Sequence, residues 1–329
     1  MISVLTGGTG GAKFVDGLRQ VMPAEDITLI VNTGDDLMWW GLYVSPDIDS
    51  ITYVLSGMLS RERGWGVKGD TFLCLQAMGQ LGEPTWFHAG DRDLAVHILR
   101  SRLVAEGKTL SEATAVICEK LGVKARILPM SNSRVETRVD TPVGELSFEE
   151  YFVQRWYQDP VKSVRFAGAS DAEPAPGVID AIVSADAVLI APSNPITSIG
   201  PILAVPGIAQ ALARARGKII AVSPIVGSSA VAGPAGILMQ AQGYPCSIAG
   251  VAKIYSDFLD LLICDSRDAR AAEELRKKGL RVECTQTIMR NADDKAALAR
   301  TVLNFAADRV LSDAHAARAA VSPRTEGRP

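Results

Sequence analysis

Acidic residues collect just after the second predicted strand, and they are the residues of this chain best suited to bind a metal. Asp35 and Asp36 follow that strand directly, and Asp47 and Asp49 come in the next loop. Carboxylate oxygens are hard ligands that suit Mg²⁺, which takes one or two of them and leaves room for a substrate phosphate. Asp35 and Asp36 could instead form a turn, and Asp47 or Asp49 could cap the next helix. We therefore expect at most two of the four carboxylates to bind the metal.

A glycine-rich segment follows the first predicted strand and leads into a predicted helix over residues 14–22. Exposed N–H groups at such a junction form a site for phosphate. The motif is one residue short of the dinucleotide fingerprint, and its lysine is not followed by Ser or Thr as in a P-loop. A plain strand-to-helix turn is the alternative. The candidate phosphate-binding residues are Gly8, Thr9, Gly10, Gly11 and Lys13.

Further polar loops are expected to reach the same cleft. In a mostly parallel sheet, ligands bind beyond the carboxyl ends of the strands. Each loop alone could be a routine turn, but their convergence favours a nucleotide cleft. The ligand-binding candidates in these loops are Asp36, Arg92, Ser193, Asn194, Ser198 and Ser223. His97 is expected to be a packed helix residue, because the three histidines lack the spacing of a zinc site.

Composition and charge argue against several function classes. The chain has 329 residues, a net charge of −3 and no block of Lys and Arg. These features indicate no nucleic-acid partner and no anionic membrane surface. The five cysteines lack paired spacing, which favours reduced thiols, and no apolar run approaches the length of a membrane span. We expect a cytoplasmic homodimer.

Apolar runs of strand length alternate with amphipathic helix-like runs along most of the chain. Continuously apolar strands separated by helices are typical of a parallel sheet covered on both faces. We predict an α/β fold, a doubly wound, Rossmann-like, mostly parallel sheet formed by residues 1–134 and 169–308. The later predicted strands are 27–32, 187–191, 219–222, 261–264 and 281–284, and the later helices 94–105, 110–121, 207–215 and 269–278.

Residues 135–168 depart from this alternation. Their pieces look like a hairpin around Pro142-Val143-Gly144, and they contain six of the 19 aromatic residues. We predict a smaller α+β insertion subdomain that forms part of the cleft. Its aromatic residues would either cap the cleft or form a satellite core. The tail 309–329, rich in Ala, Arg and Pro, is predicted to be disordered.

Nearly the whole chain resembles a known family. The segments that carry the resemblance occur in the order GGTGGAK, NTGDD, SPDIDS, RGWGVKGDTF, AGDRD, LPMS, APSNPITSIGPIL, VSPIVG and GPAG. Together they resemble 2-phospho-L-lactate transferase, the enzyme that builds the phosphodiester of coenzyme F420. The resemblance implies transfer of a phospholactyl-type group from a guanosine diphosphate adduct to the ribityl hydroxyl of the deazaflavin Fo. It also implies Mg²⁺ and release of GMP. In bacterial members the donor carries enolpyruvate or glycerate, so the acid group stays open.

The resemblance also implies roles within the acidic cluster. It points to Asp35 and Asp49 as the Mg²⁺ ligands. Asp49 or Asp47 would orient or deprotonate the attacking hydroxyl, and the base need not be strong because Mg²⁺ lowers the pKa of a coordinated oxygen. Three tryptophans near these loops could stack on the deazaflavin ring or be buried in a core: Trp39, Trp40 and Trp65.

Two other function classes are weighed against this interpretation. A related family of gluconeogenesis or cell-envelope regulators binds nucleotide sugars without turning them over. Its members share a DDGGSSG stretch where this chain reads Gly34-Asp35-Asp36-Leu37-Met38-Trp39-Trp40. An NAD-dependent oxidoreductase would use an acidic residue after the second strand to bind ribose, but the glycine spacing is wrong for it.

Overall fold

The computed structural model describes residues 1–307, so the predicted disordered tail 309–329 lies outside the described residues. The strands are β1 (Ile2–Thr6), β2 (Ile27–Val31), β3 (Leu37–Trp39), β4 (Leu42–Val44), β5 (Arg126–Pro129), β6 (Glu136–Thr141), β7 (Gly144–Ser147), β8 (Ser163–Ala167), β9 (Ala187–Ile190), β10 (Lys218–Val222), β11 (Ile225–Val226), β12 (Ser229–Ala230), β13 (Leu261–Asp265) and β14 (Arg281–Thr285). The helices are α1 (Gly8–Leu18), α2 (Pro46–Leu55), α3 (Leu73–Gln80), α4 (Asp91–Ala105), α5 (Leu110–Lys120), α6 (Val178–Ser184), α7 (Gly200–Ala204), α8 (Ile208–Ala213), α9 (Ala235–Ala241), α10 (Ile248–Ile254), α11 (Ala269–Lys277) and α12 (Ala292–Ala307).

Seven parallel strands form the central sheet. Their order is β14-β13-β10-β9-β1-β2-β5. From β1 the chain proceeds outward through β2, and from β9 it proceeds outward in the opposite direction through β10. The strand order therefore reverses between β1 and β9, which is where open α/β sheets bind ligands. The predicted doubly wound α/β fold is confirmed.

Hydrophobic cores cover both faces of this sheet, because successive strand residues point to opposite sides. Val4 belongs to one buried cluster, with Leu29 and Leu189, whereas its neighbour Leu5 belongs to the other, with Ile190. Burial on both faces explains why these strands read as continuous apolar runs. Among residues 1–307, no helix is long and apolar enough to cross a lipid bilayer.

Helix α1 begins earlier than the sequence pattern predicts. A start near residue 14 is expected because glycine is a poor helix former, but α1 already includes Gly10 and Gly11. Close packing requires the glycine here. A Cβ atom on Gly10 would overlap the carbonyl oxygen of Pro192 in the loop after β9. The predicted glycine loop is thus largely the first turn of α1.

A three-stranded antiparallel sheet lies within the range predicted for the insertion. Its order is β7-β6-β8, and β6 and β7 form a hairpin in which Thr141 pairs with Gly144 across the predicted turn. A π-helical turn, Glu150–Gln154, follows β7. Phe148 stacks on Phe152 with their ring planes 4° apart. The division of the chain into two units stays a prediction.

Candidate active site

The side chain of Asn32 connects three loops at the carboxyl edge of the sheet. Asn32 follows β2 and is fully buried. Its Nδ2 atom donates to Asp35 Oδ2 at 3.0 Å, to Asp47 Oδ2 at 2.9 Å and to the Thr197 carbonyl oxygen at 3.2 Å. The backbone N–H of Gly8 donates to Asp47 Oδ1 at 2.6 Å. The loops after β2 and β9 and the start of α2 therefore meet at one buried amide, and Asp47 links them to the start of α1.

Asp35 and Asp47 are buried carboxyl groups with no cationic partner among the described residues. Both side chains are buried, at 7% exposure each, and neither forms an ion pair with a described residue. Burial raises the pKa of Asp47 to about 6. Burial, and then the carboxylates of Asp47 and Glu149, raise the pKa of Asp35 well above its usual range. This arrangement favours a bound cation, because an opposite charge within a few ångströms stabilises the ionised carboxylates.

Asp49 is held in a different environment from Asp47. Arg100, which is fully buried, binds both carboxylate oxygens of Asp49, with Nη1 3.1 Å from Oδ2. His97 Nδ1 lies 3.4 Å from Asp49 Oδ2, and His97 Nε2 lies 3.5 Å from Asp93 Oδ1. Asp49, Asp93 and His97 bring ligand-type atoms within 4.8 Å of one another, but Arg100 already supplies the positive charge there. Within the described residues, Asp35 shares a hydrogen-bond donor with Asp47 and none with Asp49.

Asp36 connects the β3–β4 hairpin to the start of α2. Its oxygens accept from the Tyr43 hydroxyl at 2.9 Å and from the Ser45 hydroxyl at 2.7 Å. Burial raises the pKa of Asp36 to about 8, and the two hydrogen bonds only partly oppose this. Asp36 thus holds the side chains of Tyr43 and Ser45 in place through its two carboxylate oxygens.

The glycine segment keeps some N–H groups free. The Gly7 N–H donates to Ser193 Oγ at 3.3 Å, and the Gly8 N–H is taken by Asp47. For the N–H groups of Thr9 and Gly10, the described residues offer no acceptor, as is usual in the first turn of a helix. Thr9 and Lys13 are exposed beside them. This end of α1 can accept an anion.

Polar side chains of the loops after β9 and β10 form hydrogen bonds within the protein. Ser193 Oγ donates to the Gly7 carbonyl oxygen at 2.7 Å. Asn194 Oδ1 accepts from the backbone N–H of Ile196 at 3.0 Å. In the loop after β10, Ser223 Oγ donates to the Ile225 carbonyl oxygen at 2.9 Å. The hydroxyl of Ser198 lies beside Gly8. Ser193 and Ser198 are therefore next to the first turn of α1, while ligand contacts of all four side chains stay a prediction.

Arg92 lies at the start of α4, where two helices cap each other. The carboxylate of Asp70 accepts from the N–H groups of Arg92 and Asp93, and the carboxylate of Asp91 accepts from those of Leu73 and Cys74 at the start of α3. The exposed Arg92 guanidinium makes a 3.2 Å bond to the Lys68 carbonyl oxygen. It remains accessible to a ligand.

The three tryptophans do not form one surface. Trp39 is buried and packs against Trp40, Trp86 and Phe87, so it belongs to a small core. Trp65 lies elsewhere, under the guanidinium of Arg63 at 5.2 Å.

A cavity of about 220 Å³ opens between the loop after β2 and the antiparallel sheet β7-β6-β8. It is lined by Gly34, Asp35, Asp36, Leu37, Met38, Arg134, Glu136, Thr137, Arg138, Ser147, Phe148, Glu149 and Glu150. Sequence reasoning missed the charged residues of the insertion. Its aromatic content drew attention to the segment, but no local pattern links a glutamate there to aspartates more than a hundred residues earlier.

Similarity to known proteins agrees with this layout. The sequence profile of the 2-phospho-L-lactate transferase CofD matches residues 2–304. The chain belongs to the 2-phospho-L-lactate transferase family. This membership makes it a transferase of coenzyme F420 biosynthesis, and it argues against the regulator and oxidoreductase alternatives.

Relatives of this family align over almost their full lengths. A 2-phospho-L-lactate transferase of Methanococcoides burtonii is 40% identical, with 93% of this chain and 99% of that protein covered. The corresponding protein of Methanothermobacter thermautotrophicus is 43% identical, with 92% and 97% covered. A phosphoenolpyruvate transferase of Streptomyces griseus is 42% identical, with 93% and 98% covered.

A solved structure shares the fold at lower similarity. It is a Bacillus halodurans protein of the UPF0052 family, with a TM-score of 0.61 and 18% identity over 92% of this chain and 99% of that one. At this identity the likeness shows the fold alone.

Proposed function

We propose that this chain transfers a phospho-acid group from a guanosine diphosphate adduct to the ribityl hydroxyl of Fo, releasing GMP. The acid is lactate, enolpyruvate or glycerate. The observation that carries the proposal is the pair Asp35 and Asp47, which are buried beside the free N–H groups at the start of α1 and have no basic side chain as partner within residues 1–307. A diphosphate donor needs both a cation and N–H donors, because charge moves onto the departing phosphate.

The residues present fit Mg²⁺ as the cofactor. Asp35 Oδ1 is buried and makes no hydrogen bond of regular geometry with the described residues, and only the Thr137 hydroxyl is close enough to lower the pKa of this carboxyl, so the atom can bind a cation. We assign the cation to Asp35 and Asp47, since Arg100 already compensates Asp49. When bound, Mg²⁺ would offset the negative charge of the donor's phosphates.

Different residues would bind the donor phosphates, orient the attacking hydroxyl and position the helices. The first-turn N–H groups of α1, with Lys13, would bind the phosphates of the guanosine end. Asp47, at the same edge of the sheet, would orient the attacking hydroxyl. Asp49 would act through Arg100 as a positioning residue that fixes α2 against α4. Arg92 would face the Fo ring or the donor's carboxylate.

A turnover assay tests this proposal. The purified chain is incubated with Fo, Mg²⁺ and each of the three guanylylated donors, and the phosphodiester product and GMP are measured by mass spectrometry. We expect one donor to yield product and GMP in equal amounts. Absence of product with all three donors would overturn the proposal.

A further inference from the structure

The cavity beside the acidic cluster has walls from two different parts of the chain. Asp35 and Asp36 line it from the carboxyl edge of the central sheet, and Phe148 and Glu149 line it from the insertion. Whatever occupies the cavity therefore contacts both parts at once.

Glu149 brings a buried side chain with a carboxyl group to this cavity. It follows β7 and is 7% exposed. The neighbouring Glu150 is used locally, because its Oε2 accepts from the N–H of Ser147 at 2.8 Å and from the Ser147 hydroxyl at 2.7 Å. The carboxylate of Glu149, by contrast, has no hydrogen bond or ion pair with any residue in the range 1–307.

The arginines nearest to this cavity do not neutralise Glu149. Arg134 and Arg138 both line the cavity, and both pair with Glu136 instead. Burial and the carboxylates of Asp47 and Asp36 raise the pKa of Glu149 to about 8. Without a cation, an ionised Glu149 would repel the acidic cluster, so its carboxyl favours the neutral form.

A divalent cation reverses the sign of this interaction. The buried Asp35 Oδ1 atom lies in the same cavity wall, and a cation would draw it and the Glu149 carboxylate together, because among the described residues these oxygens do not by themselves form a three-ligand cluster with Asp47. Oxygen atoms from several chain segments are the usual surroundings of a hard cation.

We propose that Glu149 is a further binding residue for the divalent cation, so that the cation fastens the insertion to the carboxyl edge of the central sheet. The inference rests on the proposed Mg²⁺ site at Asp35 and Asp47. It adds that cation binding orders residues 136–167 against the sheet before donor or acceptor arrives.

Calorimetry with Mg²⁺ alone, on the full chain without nucleotide, tests the inference. Glu149→Gln should weaken Mg²⁺ binding about tenfold or more, which corresponds to about 1.4 kcal/mol. Glu150→Gln is the matched control, because it removes the same charge in the same segment and keeps a side chain that can accept from Ser147. It should bind Mg²⁺ as the wild type does.

Thermal unfolding separates cation binding from a merely structural role. In EDTA, Glu149→Gln should unfold at about the same temperature as the wild type, because burial favours the neutral form of the Glu149 carboxyl and Gln keeps its shape. Adding Mg²⁺ should raise the Tm of the wild type and of Glu150→Gln but hardly that of Glu149→Gln. Hydrogen exchange of residues 136–167 should slow with Mg²⁺ in the same two proteins only.

The results distinguish this inference from the proposed function. Wild-type Mg²⁺ affinity in Glu149→Gln, or no Mg²⁺ binding by the wild type, would overturn the inference. Glu149-dependent Mg²⁺ binding without product from any donor would support it and overturn the proposed transfer instead.

Discussion

Arg100 binds both carboxylate oxygens of Asp49 in the protein interior, and this ion pair joins α4 to α2. Arg100 also donates to the Tyr43 carbonyl oxygen at 3.4 Å, so the pair reaches the β3–β4 hairpin. Asp47 begins the same helix but has no cationic partner among the described residues. One aspartate of α2 is thus neutralised inside the fold, and the other is left for a ligand.

Asp49→Asn should therefore destabilise the protein more than it weakens Mg²⁺ binding. The substitution leaves a buried guanidinium without its counter-charge, which costs about 3–5 kcal/mol of unfolding free energy. Urea denaturation measures this loss. The matched variant Asp47→Asn removes one of several like charges and keeps one of the two hydrogen bonds that Asp47 accepts, so it should lose less stability than Asp49→Asn and lose Mg²⁺ affinity in calorimetry. An Asp49→Asn protein with normal stability and no Mg²⁺ affinity would restore Asp49 as the ligand expected from the family resemblance.

Nucleotide selectivity should follow the guanosine donor. GDP should bind much more tightly than ADP, and NAD hardly at all, when each is titrated by calorimetry. Lys13→Ala should weaken GDP binding, because Lys13 is exposed beside the free N–H groups of α1. Equal affinities for GDP and ADP would show that the protein does not distinguish guanine from adenine. A preference for a UDP-sugar would favour the regulator alternative.

Arg92→Ala should weaken the binding of Fo or of the donor and leave GDP affinity unchanged. The Arg92 guanidinium is exposed and has only a carbonyl oxygen as partner, whereas the nucleotide is proposed to bind at α1. Arg102→Ala is the control, since Arg102 is an exposed arginine of α4 paired with Glu106. If Arg92→Ala lost GDP binding but bound Fo and the donor normally, the nucleotide would have to bind near Arg92 instead of at the start of α1.

Gly10→Ala should reduce the unfolding free energy, because its Cβ would overlap the Pro192 carbonyl oxygen and push α1 away from the loop after β9. Overpacking of this kind costs about 1–3 kcal/mol. Gly79→Ala in α3 is the control, since its nearest neighbour is the Thr85 methyl group at 3.2 Å and alanine favours helix. If chemical denaturation gave the two variants equal stability, close packing would not be what requires glycine at position 10.

The central sheet could be predicted from sequence because its strands are apolar throughout and bounded by helices. The predicted strand 261–264, for example, is observed as β13 (Leu261–Asp265). The start of α1 was placed too late, because glycine content outweighed a packing requirement that only the folded chain imposes. Local patterns do not report such long-range contacts.

The acidic site was predicted in part. The sequence located the four aspartates, but it could not show that Arg100, some fifty residues after Asp49, enters beside it. Helix geometry could have separated Asp47 from Asp49, since residues two apart on a helix do not share a face. Glu149 was missed because its position depends on how the insertion packs on the sheet.

Single-turnover transfer by Asp35→Asn tests the central claim most directly, because Asp35 Oδ1 is buried and makes no hydrogen bond of regular geometry within residues 1–307. With Fo, Mg²⁺ and the donor that the wild type uses, the rate should fall about 100- to 1000-fold, as for loss of a preorganised charge in other enzymes. Calorimetry should show GDP affinity within a few-fold of the wild type. A near-normal transfer rate in a folded Asp35→Asn protein would contradict the proposed site.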